Sequence, residues 1–165
     1  MRKQGMAVVS VVALAVAIAA CGSSSKKTSS SASSSPPPAS TPSKGVKVVL
    51  RKVSFGTVLV GPNSHTVYLF MKDKGTTSQC NGKCATVWTP LTSSGQPQAG
   101  PGMKASLLGT SKRSDGQMQV TYGGHPLYFF AQDKRAGDVN GQGFVHFGGT
   151  WWVVSALGKK VTVKP

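Results

Sequence analysis

The chain has 165 residues, with nineteen Lys and Arg against four acidic residues, a formal charge of +15 at neutral pH. All four acids are aspartates, so a hydrolase built on a glutamate pair is excluded, and no G-x-S-x-G elbow, H-E-x-x-H pair or phosphate-cradling glycine loop occurs. Such a cationic surplus favours polyanionic partners.

The first twenty residues read as a targeting signal. Arg2 and Lys3 give a basic start, and "MAVVSVVALAVAIAA" is an apolar run of small residues too short for a comfortable membrane span. Ile18-Ala19-Ala20 precede Cys21, and Gly22 follows it. This stretch resembles the lipobox of bacterial lipoproteins, which implies a signal peptide over 1–20 and lipidation of Cys21. The alternative is an ordinary secretory signal cut before a chance cysteine. With two or more acyl chains on Cys21, membrane lipid would hold the protein at the extracytoplasmic face of the cell membrane.

Residues 21–45 are expected to form a tether. "GSSSKKTSSSASSSPPPASTPS" has no aromatic or acidic side chain and nothing to bury, so it reads as a disordered spacer reaching about 25 Å. Its Ser, Thr and Pro content also suits glycosylation. Residues 46–165 then suffice for one modest core. Without Arg2 and Lys3, seventeen basic residues face four acidic ones, a formal +13. Lipid head groups or phosphate-rich envelope polymers fit this surplus. Nucleic acid does not, because the chain is exported and its basic residues form no recognisable binding helix.

The globular part is organised as two repeats, about 46–105 and 106–165. "HTVYLFMKD" from His65 to Asp73 returns as "HPLYFFAQD" from His125 to Asp133. The offset of sixty places His65 on His125, Tyr68 on Tyr128, Phe70 on Phe130 and Asp73 on Asp133. Beyond the aspartate it slips to fifty-nine, matching Asn81-Gly82 to Asn140-Gly141. Two such copies predict one supersecondary unit used twice, each covering the other's apolar face.

Local signals are for strands. "TVLV" (57–60), the turn "GPNS" and "TVYLF" (66–70) predict one hairpin; "QMQVTY" (117–122), Gly123-Gly124 and "PLYFF" (126–130) predict another. "WWVVSA" (151–156) and "KVTVK" (160–164) predict closing strands, and no helical apolar period persists for eleven residues. The expected fold is a small all-β domain of short antiparallel strands. Alternation puts Val67, Leu69, Leu127 and Phe129 on one face of the repeated strand and Tyr68, Phe70, Tyr128 and Phe130 on the other, so both faces should be buried. Asp73 and Asp133 fall at the strand exits, where a carboxylate accepts N–H groups two or so residues on and could also take a tyrosine hydroxyl. His65 and His125 stand beside the turns.

Outside the cytoplasm, Cys80 and Cys84 in "CNGKC" read as a structural disulfide closing a small ring, ahead of a redox dithiol or metal pair, since C-x3-C is not the C-x2-C of those motifs. "GDVNGQG" (137–143) superficially suggests calcium, but Asp138 and Asn140 are its sole oxygen-bearing side chains besides Gln142, and a glycine turn is the better account.

Tyr68-Leu69-Phe70-Met71-Lys72-Asp73, its second copy Tyr128 to Asp133, the Cys80–Cys84 segment with Trp88 and Pro90, and Trp151-Trp152 together resemble the predicted bacterial lipoproteins carrying a Y-x-[FWY]-x-x-D motif, also called the secreted repeat of unknown function. The resemblance spans roughly residues 46–157 and implies architecture and compartment. One departure is Trp88-Thr89-Pro90, where members show Trp-Pro-Pro. The leading expectation is a non-catalytic binding or structural role in the cell envelope, without a cofactor. The alternative is a redox or metal accessory protein holding copper or haem on His65, His125 and His146, with Met71, Met118 and the cysteines as sulfur donors.

Overall fold

The computed structural model describes residues 44–163, so the signal segment, Cys21 and the tether up to residue 43 lie outside the described residues. Strand β1, Lys44–Val53, starts two residues ahead of the boundary read at 46. It pairs antiparallel with β2, Gly56–Val60, Val49 lying opposite Val60. A 3-10 turn over Pro62–Ser64 follows, with Asn63 and Ser64 both left-handed at φ 56° and 58°. Thr66 then bridges Val60, and the Val67 N–H donates to the Leu59 carbonyl, so the first hairpin forms before the chain continues as β3, Tyr68–Phe70.

The cysteine loop winds a five-residue helix, α1, Lys83–Val87, too short to leave a helical period in the sequence. Strands β4, Trp88–Pro90, and β5, Gln96–Ala99, close the first half. β5 runs parallel to β1, with Val48 opposite Ala99, which corrects the expectation of a purely antiparallel set. A parallel pair needs a long crossover, and the rest of the first half supplies it.

In the second half, β6 (Leu108–Lys112), β7 (Met118–Tyr122) and β8 (His125–Pro126) make an antiparallel three-stranded sheet. Gly123 and Gly124 turn β7 into β8 at φ 59° and 82°, the paired positive angles of the expected primed turn. Strands β9 (Tyr128–Phe130), β10 (Val145–His146) and β11 (Gly149–Val153) follow.

The five-stranded sheet that carries the repeated phrase has the order β10-β11-β3-β9-β4. Its centre is the meeting of the two copies, β3 against β9, with Tyr68 opposite Tyr128. Each copy then lends its tryptophan strand to the other. β4 of the first pairs with β9 of the second, Trp88 opposite Phe130, and β11 of the second pairs with β3 of the first, Trp151 opposite Phe70. The halves are interlocked, not stacked side by side.

Both faces of the repeated strand are buried, as the alternation predicts. Tyr68, Phe70, Tyr128 and Phe130 join Trp88, Trp151 and the cysteines in one cluster. Val67, Leu69 and Leu127 join Val48, Leu59, Leu91, Val120 and Tyr122 in another, with Phe129 packed against it. Removing such aromatic and aliphatic surface from water stabilises the fold by about 1.5–3 kcal/mol per fully buried large side chain.

The tail departs from expectation. β11 takes in residues 151–153 of the predicted "WWVVSA", but residues 160–163 make no strand. Val154 bridges Lys160 and the Val161 N–H bonds Val153. Beyond that the Gln142 side chain replaces a ladder: its amide nitrogen donates to the carbonyls of Val161 and Val163 at 2.7 Å each, and its oxygen accepts the Val153 N–H at 2.9 Å.

Candidate functional site

The repeated tyrosines and aspartates bond across the copies, not within them. Tyr68 donates its hydroxyl to Asp133 Oδ2 at 2.6 Å, and Tyr128 donates to Asp73 Oδ2 at 2.8 Å. The second oxygen of each carboxylate accepts a backbone N–H from the loop it heads, Gln79 for Asp73 at 2.7 Å and Asn140 for Asp133 at 3.0 Å. The expected bond to an N–H two residues on does not form at either aspartate. Their own N–H groups close tight turns onto Phe70 and Phe130, which carries the side chains over loops of six and seven residues. Asp115 makes the short-range bond instead, to Gln117. By the role of their N–H groups, Gln79 answers to Asn140, an offset of sixty-one at this bond.

Burial dominates the electrostatics of these pairs. Asp73 is pushed up to about 6 by desolvation, against the lowering pull of the Gln79 N–H, the Tyr128 hydroxyl and the Arg113 guanidinium. Asp133 is raised for the same first reason, against Tyr68 and Asn140. Both tyrosine hydroxyls are held well above their ordinary range, first by burial and then by the adjoining carboxylates. They stay protonated and donate. The arrangement is a pair of polar clamps in an apolar wall.

Arg113, which reads in the sequence as one more surface cation, is buried beside the Asp73 clamp. Its guanidinium donates to Ser78 Oγ and Gln119 Oε1 at 2.8 Å each, to the Cys80 carbonyl at 2.9 Å, to Asn81 Oδ1 at 3.1 Å and to Asp115 at 3.0 Å. Ser78 Oγ also donates to the Tyr128 hydroxyl across 2.8 Å, the tyrosine's own proton going to Asp73, and the Gln119 amide donates to the Leu127 carbonyl. One side chain therefore ties the disulfide loop, the β6–β7 turn and the second copy's strand together. The single available signal was Asp115 two residues after Arg113, ahead of a glycine turn.

Between the clamps runs a stack of four rings. Phe70, Trp151, Trp88 and Phe130 lie face to face with successive centroid distances of 4.1, 3.8 and 4.1 Å. Tyr68 meets Trp88 edge-on at 5.4 Å and Tyr128 meets Trp151 edge-on at 5.2 Å. Such pairs add about 0.5–1.5 kcal/mol each beyond their burial. The first loop is pinned by the Cys80–Cys84 disulfide, Cα atoms 5.2 Å apart. Its counterpart, Gly141, lies so close that a Cβ there would sit 2.7 Å from the Trp88 ring and 2.9 Å from Tyr68.

The three histidines are not brought together. His65 and His125 each precede their tyrosine by three residues on oppositely running strands centred on Tyr68 and Tyr128, which separates them by on the order of 20 Å. His65 packs edge-on to Phe129, His125 shares a cleft with Met71, and His146 accepts the Trp88 indole N–H through Nδ1 at 3.4 Å. No group of three or more His, Cys, Asp or Glu side chains placed to hold a metal occurs among the described residues. The Cys80 and Cys84 sulfurs are in their disulfide, and Met118, the exposed first residue of the otherwise buried β7, lines a different cleft from Met71. In the 137–143 loop, Asp138 accepts the N–H groups of Lys134 and Arg135, completing a turn.

All four carboxylates are thus engaged by the chain itself, Asp73 and Asp133 in the clamps and Asp115 and Asp138 in turns. Every lysine and arginine among the described residues except Arg113 is exposed, and Arg113–Asp115 is the sole ion pair among them. A family model described as a secreted repeat of unknown function matches residues 49–92 and again residues 109–155, together more than half of the chain. No curated protein and no solved structure matches it.

Proposed function

The chain belongs to the family of secreted repeats and is an extracellular protein; we propose that it is held at the outer face of the cell membrane by lipid on Cys21 and serves the envelope as a non-catalytic binding or structural module. The observation that carries this reading is the division of charge. Each acidic group is committed to the interior or to a turn, and the exposed lysines and arginines have no carboxylate partner among the described residues. A rigid body with a one-signed shell attracts polyanions and repels other cations. The repeated Tyr and Asp, which a catalytic reading would need free, satisfy one another instead.

Two measurements test it. Mass spectrometry of the processed protein should find a diacylglyceryl group on Cys21; a free or absent cysteine removes the anchor. Sedimentation with anionic envelope polymer should fall steeply as salt rises from low to physiological strength. Binding that ignores salt, or none at all, overturns the module.

A further inference from the structure

Two open clefts adjoin where the β7–β8 turn meets the tail. One, of about 460 Å³, is lined by Lys104, Leu157 and Lys159. The other, of about 410 Å³, is lined by Leu69, Met71, His125 and Lys160. Gly158 and Lys159 line both, so the two clefts share a border there and make the two halves of one bipartite surface groove. The join depends on two glycine turns in contact. A Cβ on Gly123 would lie 2.9 Å from the Gly158 carbonyl oxygen, and one on Gly158 3.1 Å from the Gly123 Cα. Both residues have positive φ, 59° and 72°.

The groove has two characters. Its ionisable lining groups are Lys104, Lys159, Lys160 and His125, and no carboxylate lines it. His125 is held below its usual range by burial and by Lys159, and its Nδ1 is buried with no partner. A neutral imidazole adds a polar wall without further repulsion. Beside the ammonium groups lie Leu69 and Met71 as apolar floor and Leu157 as a rim residue 61% exposed. Lysines alone would accept any anion. An exposed leucine among them fits an anion that carries hydrocarbon.

We propose that this groove binds the head group of an anionic phospholipid, its phosphate among Lys104, Lys159 and Lys160 and its glycerol and first methylenes over Leu157 and Met71. The proposal rests on the reading of the protein as a cationic envelope module and narrows it to one site and one ligand class. A domain so docked would lie against the membrane instead of standing off it.

The processed protein in neutral detergent is titrated with dihexanoyl phosphatidylglycerol, its phosphatidylcholine counterpart and the deacylated phosphoglycerol head group. The anionic lipid should bind at least about tenfold more tightly than the zwitterionic one, and K159A/K160A should remove that preference. The paired control K44A/K47A should change affinity less than about twofold. Leu157→Ser should weaken the lipid and leave the deacylated head group unaffected. Equal loss in both lysine pairs overturns the groove while the cationic shell stands. Equal affinity for lipid and deacylated head group overturns the apolar half of the site. Failure to bind either anionic lipid or envelope polymer overturns the module together with the groove.

Discussion

The Tyr68 hydroxyl lies 2.6 Å from Asp133, so a residue of the first copy completes the last carboxylate of the second copy's motif. With Tyr128 and Asp73 in the reciprocal relation, the motif is a statement about the pair of copies.

A double-mutant cycle separates this from a local role. Tyr68→Phe leaves a buried carboxylate short of a donor and should cost about 1–3 kcal/mol. In denaturant unfolding, Tyr68→Phe and Asp133→Asn should couple by at least about 1 kcal/mol. Tyr68→Phe and Asp73→Asn should add within about 0.5 kcal/mol. The opposite pattern would show that each motif closes on itself.

The pH dependence of stability follows from Asp73. Its carboxyl is raised from 3.8 to about 6, so the folded state binds the proton more tightly than the unfolded chain. Its contribution is fully present below pH 4 and is lost as pH rises through about 6, a change of on the order of 1–3 kcal/mol after allowance for partial exposure. Wild type measured against Asp73→Asn from pH 4 to 7 should show this slope, and a flat difference would remove it.

Replacing Cys80 and Cys84 together by alanine opens a five-residue ring. The unfolded chain then regains entropy worth about 2 kcal/mol, and thermal unfolding should shift down by roughly 8 °C. An unchanged midpoint in the alanine pair, or under reductant, would mean that Arg113 alone holds the loop.

Arg113→Met should be more damaging than any surface lysine substitution, about 3–5 kcal/mol, because it strips donors from Ser78, Gln119, the Cys80 carbonyl and Asn81 at once. Arg113→Lys should recover less than half of the loss, since one ammonium lacks the planar fork. Full recovery by lysine would show that charge alone matters.

The fold class was legible because the apolar residues alternate. Leu69 against Tyr68 and Phe70 fixes a strand with two buried faces, whichever neighbours it has. The repeat was legible because the phrase is copied almost letter for letter. Alternation says nothing about which copy a side chain meets, so the exchange of partners between Tyr68, Asp133, Tyr128 and Asp73 could not be read from spacing. Arg113 escaped notice because a buried guanidinium and a solvated one look alike until five acceptors converge on it. "KVTVK" alternates like any strand. What denies it that state is Gln142, a polar residue some twenty positions earlier whose amide takes the tail's carbonyls.

The crossing of β4 and β11 between halves has an implication for lineage and copy number. A solitary unit would keep its tyrosine and its aspartate but lose the partner of each, and would show a raw sheet margin where the sister's tryptophan strand belongs. By this geometry a lone unit completes its sheet and its clamps by meeting a second unit, from the same chain or from another copy.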